Sequence, residues 1–587
     1  MVNFSKYFYN LSLTIIGIVT SIYILTTVGG LFHIPVNPFY VLIPLVAGCF
    51  YLRKKSSDKT DFLKQILILL LITMISYFVS ISVWDFSWDG RSSHIATAIL
   101  YKNGWLPVYQ NYHDFAELCH VYPASAFWGN CYLHFTEIIS ANIYKITNLI
   151  ESPKTINFII LSSLFMYSFV VFEKFLPDKK FLTLLMSAFV IINPVCICQW
   201  FTHDIDLHIY SSFSVLLLTL IKIEKQQFSD KSDVFMFVCS SLMLAMTKFT
   251  GCMYLFIICL TYFIYLILLK RDVKKYIKSV LLIGGLIAIT GINPFYTNFR
   301  DFGHPFHPLF GKNKINIMDA GLPYGFQNMS NAERFLRSTF SESVNSMTEA
   351  YKGDIVMKQP VILKIPFTIQ KKSFLNTFCF ADIRVGGFGY FWSGILLLSL
   401  AYLPFIRFRN KNEKYLFWLV ITIILSTTLA NPHAWWARYV PQFWLFPLFV
   451  IFFGFLRENF KTCVYKNMNN IFILVIAFAV FLNSFIVIKQ NTTFSIFITK
   501  KLKMAFDYID EVKKPQDKIY LMKRPEWEDM IIADETIIPH LEEYYGKSDI
   551  VYVPFDESIF TSEKLEFIPV QLFCIIYRPC YFVKIGK

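Results

Sequence analysis

Long apolar runs joined by short basic links constrain this chain more than any other feature. Run length and link position place the apolar runs near 8–32, 38–52, 64–83, 156–174, 181–200, 209–223 and 233–249. Others follow near 252–269, 279–297, 388–406, 415–430, 441–456 and 469–489. A helix of about 20 apolar residues crosses the ~30 Å hydrocarbon core with every backbone N–H and C=O satisfied internally. About 13 crossings are expected on this reading, and a short run such as 38–52 also fits a re-entrant segment. Only 16% of the 587 residues are charged, against about 25% in a soluble chain, and the mean hydropathy is +0.48. The first run lacks a small-residue cleavage site and leads into a second, so it reads as a retained helix rather than a removed signal peptide. The expected fold class is an all-α polytopic membrane protein.

The formal net charge of +14 raises the question of nucleic acid, and its distribution answers it. Basic residues gather in the links, at Arg53-Lys54-Lys55, Lys179-Lys180, Lys270-Arg271 with Lys274-Lys275, and Arg407–Lys414. That is the positive-inside pattern, because Lys and Arg resist translocation, so membrane lipid and not nucleic acid is the expected partner. With these links inside, the N-terminus is cytoplasmic. The stretches 84–155, 200–208, 298–387 and 431–440 then face outward, followed by the tail from 490. These outer stretches are long, aromatic and rich in His, Asp, Asn and Pro, which places the chemistry on the extracytoplasmic face. Two domains are expected: a membrane region, 1–489, and a small extracytoplasmic α/β domain, 490–587. In the tail, strand-like runs (Lys518–Met522, Ile550–Pro554, Gln571–Tyr577) alternate with a helix-like stretch at Ile538–Tyr545. The absence of a Gly-rich phosphate loop argues against an ATP-driven pump. The 12 Cys include no C-x-x-C pair, which leaves zinc and redox chemistry without a signal. Cys119 and Cys131 share an outer loop; a disulfide in an oxidising compartment and two unrelated thiols both fit.

The segment Val83–Tyr109 follows an apolar run directly and carries Asp85 and Asp89 with Trp84, Trp88, Arg91 and His94. Carboxylates at the edge of hydrocarbon are costly to leave half-desolvated, and burial raises their pKa toward that of a useful general base. Their i, i+4 spacing shares a face if the segment is helical; Gly90 favours a turn. The competing reading is a solvated loop anchored by interfacial indoles.

Cations recur at the same end of the runs. Lys248 lies in a link too short for free solvation, where a charge tends to pair or mark a substrate site. Arg438, beside Trp435 and Trp436, has the fork geometry for phosphate, with indoles to pack on sugar or isoprenoid. Arg384 precedes Gly386-Gly387, where backbone can approach a ligand closely. Snorkelling, an interfacial belt and plain loop structure are the respective alternatives. His203, Asp204 and Asp206 in the second outer loop have ligand types for Mg²⁺ or Mn²⁺ near a phosphate, and a short solvated turn would look alike. His304 and His307 sit among Pro294, Pro305 and Pro308, where an extended path could offer sugar contact. Tyr112-His113-Asp114 fits either an acceptor cleft or ordinary loop polarity.

The stretch WDFSWDGRSSH (84–94), followed by NGWLPVY (103–109), resembles the first outer loop of bacterial GT-C-type glycosyltransferases. TKFTG (247–251), NPFYTNFRDFGHPFHPLFG (293–311), DIRVGGFGYFW (382–392) and WWARYVPQFW (435–444) agree, so the likeness spans roughly 64–456. The resemblance implies a polytopic enzyme taking sugar from a polyprenyl-phosphate-linked donor to a glycan or lipid acceptor in cell-envelope assembly at the plasma membrane. It also implies an acidic residue of the first outer loop as base or metal ligand, here Asp89, with Asp85 second. A hairpin at 8–52 precedes the span that feeds this loop, a departure from the usual arrangement. The implied reaction is a single displacement, with Lys248, Arg384 and Arg438 facing the phosphate and His94, Trp88, Trp435, Trp436 and His304 facing substrate. A lipid-linked oligosaccharide polymerase or ligase, and a transporter or flippase, are the competing readings. Transporters place ionisable groups near the bilayer midplane, whereas here they gather at span ends.

Overall fold

The computed structural model describes residues 4–119, 128–226, 230–316, 322–345, 361–369, 377–456, 463–512, 518–523, 550–553, 565–568 and 580–585. Each apolar run becomes a helix. In chain order these are α1 (Phe4–Leu31), α2 (Phe39–Lys55) and α3 (Lys59–Ser82), then α4 (Ile95–Lys102) and α5 (Phe135–Thr147) in the first long connection. Next come α6 (Thr155–Phe175), α7 (Lys180–Ile191), α8 (Asp206–Gln226), α9 (Lys231–Thr247), α10 (Phe249–Leu268) and α11 (Lys274–Thr290). The set closes with α12 (Trp392–Tyr402), α13 (Lys411–Leu429), α14 (Leu445–Phe455) and α15 (Cys463–Val512).

Six of these helices are long and apolar enough to cross a membrane, or seven if α11 and the segment after it form one bent span. The 69° bend lies at a break beside Pro294, whose missing N–H and bulky ring interrupt a helix. Helices such as α7 and α14 are shorter than the ~20 residues a straight crossing needs, so length alone supports fewer than the 13 crossings expected. The chain is a multi-pass membrane protein. α8 is enclosed on all sides while α3 is largely exposed, and its exposed face is apolar, with Leu67, Leu70, Leu71, Met74 and Phe78. Such a face suits lipid rather than water.

Charge sorts to the two ends of the bundle. The end carrying the basic links is closed by Lys6–Asp61 at 3.1 Å and by the pairs Lys222–Asp233 and Arg271–Glu224. Helices start there with side-chain caps: Asp58 on α3, Asp230 on α9 and Asn410 on α13 each accept a first-turn N–H. The opposite end holds the long connections and a short antiparallel pair, β1 (Val344–Asn345) with β2 (Ile383–Val385).

α15 has 50 residues, about 75 Å of helix, more than twice the hydrocarbon thickness. Its far part passes the end of α3, where Trp84 N donates to Thr499 Oγ1 at 3.1 Å. The domain boundary expected at 490 therefore falls inside this helix. Beyond it, β3 (Lys518–Lys523), β4 (Ile550–Val553), β5 (Leu565–Ile568) and β6 (Cys580–Ile585) form a sheet ordered β4-β3-β6-β5, parallel between β3 and β4 and otherwise antiparallel. The strand expected at Gln571–Tyr577 and the helix expected at Ile538–Tyr545 lie outside the described residues. Among the described residues no disulfide joins Cys119 to Cys131.

Candidate active site

Four distant segments meet at Arg438. The chain after α13 turns tightly through Ala437–Tyr439 and buries the Arg438 side chain, which is 7% exposed. Nε donates to Asp206 Oδ2 at 2.7 Å and Nη1 pairs with Asp89 Oδ2 at 2.7 Å. Asp204 Oδ1 lies 3.9 Å and Asp382 Oδ1 3.8 Å from the same guanidinium. Lys248 Nζ takes the other oxygen of Asp206 at 2.9 Å and stands over the Tyr439 ring at 4.5 Å. Arg384 pairs with Asp382 at 2.9 Å and lies 4.0 Å over Trp436, which Arg438 approaches at 5.3 Å.

Local structure explains why these groups converge. Asp206 opens α8, where the helix dipole favours an anion, and Gln199 ties the loop to it: Nε2 donates to Asp206 Oδ2 and Oε1 accepts from Leu207 N. Asp89 immediately precedes a π-helical turn, Gly90–His94, a wide turn that recurs at functional sites. A Cβ on Gly90 would meet Ser87 Oγ, Asp85 Oδ2 at 2.7 Å and His203 N at 3.0 Å, so only glycine lets the two outer loops touch. Gly90 stands inside a helical segment rather than at the turn expected of it, and Asp85 lies in the irregular stretch before that segment, so Asp85 and Asp89 do not share a helix face.

Asp85 is 2% exposed. Its carboxylate accepts Ser87 N at 2.7 Å and His203 N at 2.9 Å, while its own N–H donates to Glu151. Glu151 pairs in turn with buried Lys154 at 2.5 Å. Asp85 thus fastens the first outer loop to the second and does not face open space with Asp89, a correction to the pairing expected of them. Asp89 keeps 42% of its side chain exposed, so the open side of the cluster is at its carboxylate.

The electrostatics also depart from expectation. Burial pushes Asp89 up, but the Arg438 guanidinium and His94 outweigh it and hold the carboxyl below its ordinary range. Burial raises Asp85 and Glu151, and among the carboxyls around Arg438 the raised one is Asp204. Burial lifts it to about 7, Arg438 opposing and the Asp89 and Asp85 charges adding. Asp204 Oδ2 accepts from Thr202 Oγ1 at 3.0 Å, while buried Oδ1 has no hydrogen-bond partner among the described residues. His94 Nδ1 lies 2.6 Å from Glu137 Oε1.

Asp89, Arg438, Lys248, Arg384, Trp436 and His94 are therefore brought to one end of the bundle, with Trp88 next to Asp89 in the chain. Trp435 stacks on Trp436 at 5.5 Å and packs edge-on against Phe326. His304 is not joined to the cluster: Nδ1 accepts from Phe306 N and the ring neighbours Phe310. Tyr112 is buried beside Trp105, with His113 and Asp114 exposed. His203, Asp204 and Asp206 do not surround a common point. Asp206 is turned to Arg438 and Lys248, Asp204 to Thr202, and His203 toward Glu151 at 3.8 Å. Among the described residues no three His, Cys, Asp or Glu side chains are grouped to hold a metal, so the three-ligand Mg²⁺ or Mn²⁺ site expected there does not fit. Sequence reading missed Asp382, Glu137 and Gln199. Asp382 opens the DIRVGG stretch noted for its arginine, while Glu137 and Gln199 carry no local signal.

Fold and site together define a multi-pass membrane protein with a carboxylate–guanidinium centre at one end of its bundle. No family model matches the chain, and no curated protein matches it. Among solved structures it is similar to ArnT from Cupriavidus metallidurans, bound to undecaprenyl phosphate (10% identity, TM-score 0.41) and in the apo state (9%, 0.42). Each alignment covers 88% of this chain and 97% of that one.

Proposed function

We propose that the protein is an integral membrane glycosyltransferase of GT-C type. It moves a sugar from a polyprenyl-phosphate-linked donor to a glycan or lipid acceptor on the extracytoplasmic face of the plasma membrane, in cell-envelope glycan assembly. The observation that carries this reading is the junction of half-open Asp89 with Arg438 and Lys248, at the end of the bundle opposite the basic links. Under the positive-inside rule that end is extracytoplasmic. Among the described residues the Asp, Glu, Lys and Arg side chains of the membrane helices sit at the ends of the apolar stretches, where a lipid headgroup lies, and this favours surface chemistry over translocation.

In the reaction an acceptor hydroxyl docks at the open oxygen of Asp89. Its oxygen bonds to the anomeric carbon, its proton passes to Asp89, and the bond from that carbon to the phosphate oxygen breaks with its electron pair on the phosphate. The lowered pKa keeps Asp89 ionised at neutral pH and weakens it as a base, so its part depends on holding the hydroxyl in place as the proton leaves. Arg438, Lys248 and Arg384, paired at rest with Asp89, Asp206 and Asp382, supply the cationic groups nearest the charge that grows on the leaving phosphate. Asp204, carrying a proton below about pH 7, subtracts one negative charge that would oppose the donor. Trp436 and Trp435 offer flat apolar faces for sugar or isoprenoid.

The test is transfer in vesicles holding the purified protein, a panel of polyprenyl-phosphate sugars and envelope glycan acceptors. Release of polyprenyl phosphate is expected with the wild type, and Asp89→Asn lowers kcat by at least about 10²-fold with insertion unchanged. Full activity in Asp89→Asn would remove Asp89 from the role of base.

A further inference from the structure

The leaving phosphate needs a donor in direct contact, and the three cations of the cluster are already engaged. Arg438 holds Asp206 and Asp89, Lys248 holds Asp206, and Arg384 holds Asp382. His94 differs. Only its Nδ1 is hydrogen-bonded among the described residues, to Glu137 at 2.6 Å, and its side chain is 18% exposed. Glu137 lies on α5 and is 3% exposed, and its second oxygen, Oε2, has no hydrogen-bond partner among the described residues. A buried carboxylate with so few partners is costly unless a positive charge meets it, and the imidazolium of His94 is that charge. Asp89 immediately precedes the π turn Gly90–His94 and His94 closes it, so the two groups stand at the two ends of one wide turn.

We propose that the His94–Glu137 pair meets the departing lipid phosphate. Glu137, a positioning residue, fixes the ring through Nδ1, and Nε2–H donates a hydrogen bond to the phosphate oxygen that receives the electron pair. No proton need transfer; the phosphate leaves as an anion hydrogen-bonded to the imidazolium. This rests on the sugar-transfer reading above for the identity of the phosphate, and on the 2.6 Å contact for the pair itself.

The groups facing His94 are consistent with a charged ring. Glu137 faces it from α5, Asp204 from the second outer loop, and Asp89 from its own turn. His203, also in the second loop, and His134, before α5, interact with it too, but burial keeps both neutral at physiological pH; His208 of α8 is a further neighbour. Burial alone would lower His94, and the Glu137 hydrogen bond and charge outweigh it. The imidazolium is therefore present below its raised pKa and is lost as pH rises through it.

Two measurements on the full chain in nanodiscs decide the matter. The first follows His94 by NMR of ring-labelled protein, with polyprenyl phosphate as the probe. Its titration should lie above the ordinary histidine value, fall by about one pH unit in Glu137→Gln, recover in Glu137→Asp, and rise further when the probe is added. The second is the pH profile of transfer. The alkaline limb of kcat should move down with Glu137→Gln, with kcat reduced about tenfold and donor KM changed less, and should vanish in His94→Gln. A His94 titration indifferent to both Glu137→Gln and the probe, in protein that transfers sugar, overturns this proposal alone. The expected NMR shifts in protein that transfers no sugar support the pair and sink the transferase reading instead.

Discussion

Arg438 gathers four carboxylates while remaining nearly buried, an arrangement that desolvation makes expensive unless each charge is used. The chain lightens the load at Asp204, the least compensated of the four, by keeping it protonated. Because its folded pKa is raised to about 7 against an ordinary value of 3.8, the native state holds a proton that the unfolded chain releases above about pH 4. Stability from this group is fully present below that pH and is lost as pH rises through about 7. Asp89, held below its ordinary value, has the opposite sign and matters only on acidification below about pH 4. Thermal unfolding in detergent between pH 5 and 8 should therefore show a decline in the wild type that Asp204→Asn lacks. Equal slopes in the two proteins would show that Asp204 is ionised throughout.

Between helices, the site depends on a joint rather than on any one span. Gly90, Ser87, Asp85 and His203 lock the first outer loop to the second, and Gln199 locks the second to the start of α8. Gly90→Ala inserts a methyl group where Asp85 Oδ2 and His203 N already stand within 3.0 Å. A cost of about 1–3 kcal/mol is expected from such overpacking, read as a lower unfolding temperature, with transfer reduced at least tenfold because Asp89 shifts against Arg438. Wild-type transfer in Gly90→Ala would show that the joint does not position Asp89. The legible part of this joint was its charge: aspartates at the edge of hydrocarbon signal a pairing need, so Asp89, Lys248 and Arg438 could be singled out one by one, whereas Gly90, read as a turn, sits inside a helical segment. Their division of labour was not legible. Asp85 and Asp89 look alike in sequence, and only the depth of burial and the backbone donors around Asp85 separate the clamp from the open carboxylate. Glu137, 43 residues beyond His94, shows its role only once α5 is folded against the π turn.

At the scale of the molecule, apolar run length and basic links located the helices well because both reflect the same solvent, hydrocarbon, acting on each run separately. They located ends less well. α15 continues far past its apolar part, because a helix on a membrane or protein surface needs no hydrocarbon to persist. Orientation is the whole-molecule claim with a direct check: in intact cells an impermeant thiol reagent should label Lys312→Cys, and should label Lys54→Cys only after permeabilisation. The reverse pattern would put the Arg438 cluster on the cytosolic side. The most direct test of the central claim is mass spectrometry of envelope glycans and lipid-linked sugars from cells carrying the wild-type gene, the Asp89→Asn variant or no gene. One sugar substituent is expected with the wild type alone, with its lipid-linked donor accumulating in the other two. A glycan profile identical across all three would contradict a sugar transferase built on Asp89.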